Sequence, residues 1–364
     1  MTPASGTAPW WRPDRYAARR GHLQLRARMT KAIRRHFDAA GFMEVETPAL
    51  QVSPGMEPHL KPFEVELLAP DGSRARRYLH TSPEFAMKKL LVAGEPLIFQ
   101  LTHAFRNAEG SDHHQPEFTM LEWYRAGADY REIMADCEAL MQDVARACGI
   151  PAYRRRDSVC DPFQGCERLT VAEAFRRHAG LDLASVWPGG GDAGDGSGAL
   201  SDPAPDPAPL EALARAAGIR TDAGDGWDDL FFRIFLERIE PRLGQGRPTI
   251  LMDYPPHMAA LARLRPGPPD VAERFELYVC GVELANAFSE LTDAKLQAAR
   301  FRNDQAERRR LYGSEVPVDP DFLAALEHGM PAAAGIALGV DRLAMLAAGA
   351  ARIEDVLWAP VAAP

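Results

Sequence analysis

Apolar residues recur every fourth position at Leu25, Met29, Ile33 and Phe37, with Arg26, Arg28, Lys31, Arg34 and Arg35 between them. This spacing predicts an amphipathic helix between Gly21 and Gly41, with the basic residues on its other faces and Gly41 as the cap. The next segment alternates, Phe42, Glu44 and Glu46 against Met43 and Val45, and stops at Pro48, as a short edge strand would. Between Phe99 and Arg125 two strand-like runs flank a polar loop. The second run puts Phe118, Met120, Glu122 and Tyr124 on one face, and Thr119, Leu121 and Trp123 on the other. A ring, a carboxylate and a phenol on one face suit a ligand floor better than a core. At the usual strand rise Phe118 and Tyr124 stand roughly 20 Å apart, a span suited to a nucleotide joined end to end with a small amino acid.

The other elements follow from the same two periods. A hairpin is predicted from Phe63–Leu68 through Asp71-Gly72 to Arg77–His80. Ser82 suits an N-cap, Pro83 a first helical position and Glu84 the positive end of a helix dipole. Asp129 with Glu132, and Thr170 with Glu173, have the spacing of capping boxes. The first opens a helix with Ile133, Cys137, Leu140 and Val144 inward, ending at Gly149. An apolar helix spans Trp227 to Ile239, and a buried strand ends at Pro255. Phe275, Leu277 and Val279 face away from Glu276, Cys280-Gly281 turns the chain, and Asn286, Phe288 and Glu290 share a face. The last strand runs through Gly335 to Gly339, into a helix with Asp341 and Arg342 in its first turn. Residues 188–209, rich in Gly, Ala, Asp and Pro, are expected to form a mobile surface insertion.

Composition narrows the class. With 364 residues, 46% of them hydrophobic, the chain can form two domains or one large one. No apolar run approaches the roughly 18 residues of a membrane span. The N-terminus, with Trp10, Trp11 and several arginines, lacks the apolar centre of a signal peptide. A cytoplasmic protein is expected. Five cysteines without a Cys-x-x-Cys pair indicate neither a disulfide framework nor a zinc ribbon. The net charge of -9 argues against wrapping a nucleic acid.

Four places along the chain carry candidate chemistry. Arg106 ends the first of the paired strands, where its planar fork would clamp a phosphate or carboxylate. Glu276, Glu283 and Glu290 lie in an otherwise apolar stretch and need cations. Glu276 and Glu283 suit magnesium shared with phosphate oxygens, and Glu290 a substrate ammonium; arginine pairing is the alternative. Glu84 would hold an ammonium at a cleft edge, or only begin a helix. Gly335 and Gly339 permit close backbone approach, and Arg342 is poised for the far phosphate of a nucleotide.

Three segments resemble the signature motifs of class II aminoacyl-tRNA synthetases of the lysyl subgroup. They are the helix and strand at Gly41–Pro48, FRNAEGSDHHQPEFTMLEWY, and GIALGVDRL; TSPE and ELANAFSELTDA resemble lysine-pocket segments. The resemblance runs from Arg20 to Leu346 and implies an α+β fold, an antiparallel sheet flanked by helices. Residues 21–350 would be the catalytic domain, 1–20 an N-terminal extension and 351–364 a C-terminal segment. Lysyl-tRNA synthetases place an anticodon-binding OB-fold before this core, and a first-motif helix starting near residue 22 leaves no room for one. A lysyl core of this kind resembles the elongation factor P lysine ligase family. That family activates (R)-β-lysine with ATP and transfers it to a lysine of elongation factor P.

The resemblance implies roles. Ser82, Pro83 and Glu84 would border the amino acid; Tyr124 and Glu290 would hold its distal ammonium, with Asn286 and Phe288 beside them. Arg106 would bridge carboxylate and α-phosphate, and Phe118 would stack adenine. Asn107, Ala108, Glu109, Gln115, Glu283 and Leu284 would lie around ATP, with magnesium on Glu276 and Glu283. Gly339 would lie under the nucleotide, and Arg342 would meet the γ-phosphate. Ala108 stands where a glutamate is usual, so Glu109 would serve from the next position, and Gln115 replaces an asparagine. Ala337 replaces a glycine, adding a methyl to the pocket floor. Elongation factor P would be the acceptor, tRNA would not take part, and the chain would be a homodimer. The competing readings are a truncated synthetase that charges tRNA and a non-catalytic paralogue that binds amino acid or ATP.

Overall fold

The computed structural model describes residues 9–187, 205–265, 267 and 270–361. The chain opens with helix α1 (Pro13–Ala39), edge strands β1 (Met43–Glu44) and β2 (Leu50–Gln51), and the hairpin β3 (Phe63–Leu68) and β4 (Arg74–Leu79). Helix α2 (Glu84–Ala93) leads into the long pair β5 (Leu97–Phe105) and β6 (Glu117–Ala126), then α3 (Tyr130–Cys148). A small ribbon, β7 (Tyr153–Arg155) and β8 (Ser158–Cys160), precedes β9 (Glu167–Thr170) and α4 (Val171–Ala174). Helices α5 (Ala208–Ala216) and α6 (Trp227–Ile234) precede β10 (Thr249–Tyr254), β11 (Leu264–Arg265), β12 (Val271–Val279) and β13 (Val282–Ser289). The chain closes with α7 (Ala294–Tyr312), α8 (Pro320–Gly329), β14 (Ala333–Gly339) and α9 (Val340–Ala348).

The central sheet runs β1-β5-β6-β14-β13-β12-β10-β9, with β11 on β12. Its pairs are antiparallel except β1 with β5 and β9 with β10, at the two ends. Alternation along the strands divides its two faces. Leu121, Trp123, Phe275, Leu277, Val279, Ile336 and Leu338 point into the main core, against Met29, Ile33 and Phe37 of α1 and the inner faces of α3 and α9. Burial of each such large side chain contributes about 2 kcal/mol. The opposite face carries the polar residues and stays open as a cleft. The fold is therefore the α+β arrangement that the sequence predicts.

Both expected capping boxes form, on α3 and α4. Helix α2 begins one residue later than predicted. Pro83 takes the N-cap position, while Ser82 Oγ still accepts the Glu84 N–H at 3.0 Å. Helix α1 begins at Pro13, not after Gly21. A glycine inside a helix costs about 1 kcal/mol, too little to end one that is otherwise anchored. The anchor is Arg19, which donates to the carbonyls of Glu354 and Trp358. Arg26, read from its position as a solvent-facing residue, is buried, because its guanidinium reaches Thr119 and Asp341 across the core edge. Of the expected insertion at 188–209, residues 188–204 lie outside the described residues. Its end, 205–209, runs into α5, which buries Leu210 and Ala214 against Trp227 and Phe231. The five cysteines are free thiols, all buried except the half-buried Cys166.

Candidate active site

Strand register builds the cleft floor in transverse rows. Tyr124, Gly335, Phe288 and Arg274 are paired neighbours across four strands, as are Glu122, Ala337, Asn286 and Glu276 one step along. Met120 pairs with Gly339 in the next row. The cleft above has a volume of about 340 Å³, within the size range of small-molecule sites. Its walls come from the loop holding Glu57, the start of α2, the loop between β5 and β6, and residues 258–262.

One end of the floor is anionic. The Tyr124 hydroxyl donates to Glu122 Oε1 at 2.6 Å, and the Ser82 hydroxyl to Glu122 Oε2 at 2.6 Å. Burial, then the nearby Glu84, push the Glu122 carboxyl up to about 8. Gly335 is required here because a Cβ would overlap the Tyr124 ring and lie 2.9 Å from Glu290 Oε1. Beneath this end lies Lys88, which sequence reasoning missed. It is 1% exposed, and its ammonium is paired with Glu84 and, at 2.5 Å, with Glu290. Phe288 lies beside it, 5.1 Å from ring centroid to ammonium. Burial alone would lower the Lys88 pKa, but Glu290 and Glu84 raise it above the ordinary lysine value. Glu290 thus has an internal cation, and it stands behind Gly335 instead of lining the cleft wall. The available signal was the four-residue spacing of Glu84 and Lys88 on one helix face.

The other end is cationic. Arg106 lies over the Phe118 ring, 5.0 Å from its centroid, and its buried Nε has no hydrogen-bond partner. Arg342 donates to the Glu283 carbonyl at 2.7 Å and to His114 Nε2 at 2.5 Å. An arginine only donates, so Nε2 accepts and the ring proton sits on Nδ1, 2.8 Å from Ser111 Oγ. Burial and then Arg342 hold His114 down at about 4, which keeps it neutral. The sequence reading passed over both His114 and Glu57.

Ser82, Glu84, Tyr124, Asn286, Phe288 and Ala337 meet on the cleft with Arg106, Glu109, Gln115, Phe118, Glu283, Leu284, Gly339 and Arg342. Besides Glu290, four expected residues do not line it: Pro83, Asn107, Ala108 and Glu276. Pro83 borders a smaller recess beside the cleft. Asn107 and Ala108 are exposed: Asn107 N donates to the Lys61 carbonyl, and Ala108 turns the loop with φ 61°. That turn brings Glu109 back to the cleft. A Cβ at Gly339 would make only ordinary contact with Arg342, so no neighbour among the described residues demands glycine there.

Glu276 also lies off the cleft lining. Its Oε1 accepts from Arg274 at 2.5 Å, and its Oε2 from Tyr254 at 2.6 Å and Tyr278 at 2.5 Å. This is the arginine pairing that the sequence reading held as its alternative. Glu283 does face the cleft, and burial followed by the charge of Glu276 pushes its carboxyl up to about 7. Glu283 is therefore the one of the two carboxylates that faces the cleft without an arginine partner among the described residues, and it fits a divalent cation completed by substrate phosphates and water, whereas Glu276 is taken by its three donors. Among the described residues no three metal-type side chains cluster, so the chain supplies no complete cage. No helix among those residues is long and apolar enough to cross a membrane.

The floor is thus an antiparallel sheet with Arg106 and Arg342 at its cationic end and carboxylates at the other. Residues 12–362 match the family model for tRNA synthetases class II (D, K and N), and the chain belongs to that family. Over nearly its whole length it is similar to ligases. It is 37% identical to the elongation factor P--(R)-beta-lysine ligase of Proteus mirabilis, over 96% of this chain and 97% of that protein. The ligase of the same name from Vibrio cholerae is 39% identical over 93% of this chain and 94% of its own, and that from Klebsiella pneumoniae 38% over 92% and 94%.

Proposed function

We propose that this ligase adenylates (R)-β-lysine, or lysine, with ATP and transfers the aminoacyl group to a lysine side chain of elongation factor P. The observation that carries the reading is the polarity of one continuous floor: arginines and Phe118 at one end, Glu84, Glu122 and Tyr124 at the other. A nucleotide joined to a diamino acid has the complementary charge order. The names and matching lengths of the relatives support the choice of substrate and acceptor. The protein works in the cytoplasm as a homodimer, with residues 21–350 as its catalytic domain and without tRNA.

Glu84 holds the amino group nearer the carboxylate, with Ser82 and Pro83 forming that edge. Tyr124, Glu122 and Glu290 with its partner Lys88 set the charge around the distal ammonium, and Asn286, Phe288 and Ala337 shape the space between. An uncharged analogue leaves buried carboxylates uncompensated, which is the source of selectivity. Arg106 neutralises charge at the α-phosphate as the amino-acid carboxylate attacks in line, and Phe118 stacks the adenine. Arg342 leaves His114 to receive the departing pyrophosphate. Glu109, Gln115, Leu284 and Gly339 surround the nucleotide, with Asn107 and Ala108 shaping their loop. Glu283 would hold magnesium, with Glu276 behind it kept by Arg274 and two tyrosines, and the ion when bound supplies charge neutralisation for the phosphates.

The test offers ATP and labelled (R)-β-lysine together with both elongation factor P and tRNA. Pyrophosphate exchange dependent on the amino acid, with label on the protein, is expected. Label on tRNA alone would mean a charging enzyme, and absence of exchange with any lysine isomer would leave a non-catalytic binding protein.

A further inference from the structure

The residues above account for adenylation, but not for the proton that the acceptor amine must lose. Glu57 lines the cleft beside Ser82, Glu84 and Arg106, and it also lines the smaller recess formed by Ser53, Thr81 and Ser82. Its loop is held on several sides. Thr81 donates through N and Oγ1 to the Pro54 carbonyl at 2.9 and 2.8 Å, and Met56 is buried. The buried Arg308 of α7 donates to the carbonyls of Pro58 and Leu60 at 3.2 and 2.7 Å. Asn107 N donates to the Lys61 carbonyl, tying the loop to the segment that follows Arg106.

Within this fixed loop, Glu57 Oε2 is shielded from solvent and has no hydrogen-bond partner among the described residues. An unpaired buried carboxylate oxygen is costly, so a loop anchored this firmly around one points to a donor from outside the chain. The neighbouring carboxylates are committed. Glu84 and Glu290 pair with Lys88, Glu122 accepts from Ser82 and Tyr124, and Glu276 accepts three donors; Glu290 Oε1 is also buried without a partner, but it stands behind Gly335 and off the cleft. Glu109 and Glu283 lie toward the nucleotide. Glu57 shares the cleft lining with Glu84 and Arg106, and both charges act on its carboxyl.

We propose that Glu57 is the base that takes the proton from the acceptor lysine during transfer, a role that rests on the ligase reading above. The amine lone pair forms the C–N bond to the adenylate carbonyl carbon while Glu57 Oε2 receives an N–H proton. The tetrahedral adduct then collapses, the carbonyl C–O bond to phosphate breaks, and AMP leaves with that electron pair. The charged groups around Glu57 are Glu84, Arg106, Lys88 and Asp304. Burial, then Glu84, raise its carboxyl above the ordinary value, which favours proton uptake nearer neutrality.

The test uses Glu57→Gln and Glu57→Asp in the full chain. Pyrophosphate exchange with (R)-β-lysine is measured beside single-turnover transfer from preformed adenylate to elongation factor P, across a pH series. Transfer by Glu57→Gln should fall on the order of 100-fold more than exchange does, and its acid-side inflection should vanish; Glu57→Asp should restore part of the transfer. Equal losses of exchange and transfer, or an unchanged transfer profile, would overturn this proposal alone. A wild-type chain that exchanges pyrophosphate but never labels elongation factor P would overturn the ligase reading and this proposal together.

Discussion

Glu122 accepts hydrogen bonds from Ser82 and Tyr124, yet burial and Glu84 hold its carboxyl up to about 8. Glu283, pushed up to about 7, behaves alike at the other end. Below about pH 8 the folded chain carries Glu122 largely protonated, and a cationic substrate beside it favours the ionised form. Amino-acid binding should therefore release protons below about pH 8 and tighten between about pH 6 and 8. Calorimetry in buffers of different ionisation heat checks the sign; proton uptake, or weakening affinity as pH rises, would contradict it. Most single residues of the cleft were legible because strand alternation puts Phe118, Met120, Glu122 and Tyr124 on one face. Lys88 and Glu57 were not. A lysine in an apolar helix and a glutamate in a proline-rich loop have no period that reports what faces them.

At the level of elements, the site is held by a joint between α1, β6 and α9. Asp341 forms a buried ion pair with Arg26 at 2.5 Å, and its Oδ2 accepts the Thr119 N–H at 2.9 Å. The sequence places Asp341 in the first turn of a helix and Arg26 on a face outside the apolar stripe. The burial of Arg26 has a geometric cause: it sits beside the apolar stripe, and a long guanidinium there can turn inward only if a carboxylate from a distant element awaits it. Asp341→Ala leaves Arg26 buried without its countercharge and should cost about 3 kcal/mol or more. A urea midpoint shift measures this. A loss below about 1 kcal/mol, the value of a surface pair, would show that the joint carries little. Adenylation should fall as well, because the neighbouring Arg342 depends on the start of α9 for its place.

For the whole molecule, β1 lies at one end of the central sheet, and apolar Met43, Leu50 and Val52 nearby are 53%, 37% and 39% exposed. A second copy covering this edge would account for them. The chain should sediment as a dimer at micromolar concentration, and the pair Met43→Lys with Val52→Lys should give monomers; a monomeric wild type would remove the proposal. Local chemistry was sufficient to mark the strands, the capping boxes, the start of α9 and the clustering of unusual carboxylates in β12 and β13, because period and capping depend on neighbours in the chain. Which cation each carboxylate meets depends on contacts between segments far apart in sequence. Only the folded sheet sets Tyr124, Gly335 and Phe288 in one row and brings Lys88 under Glu290. It also gives Glu276 to Arg274 and two tyrosines, and leaves Glu57 with an oxygen that no group among the described residues satisfies.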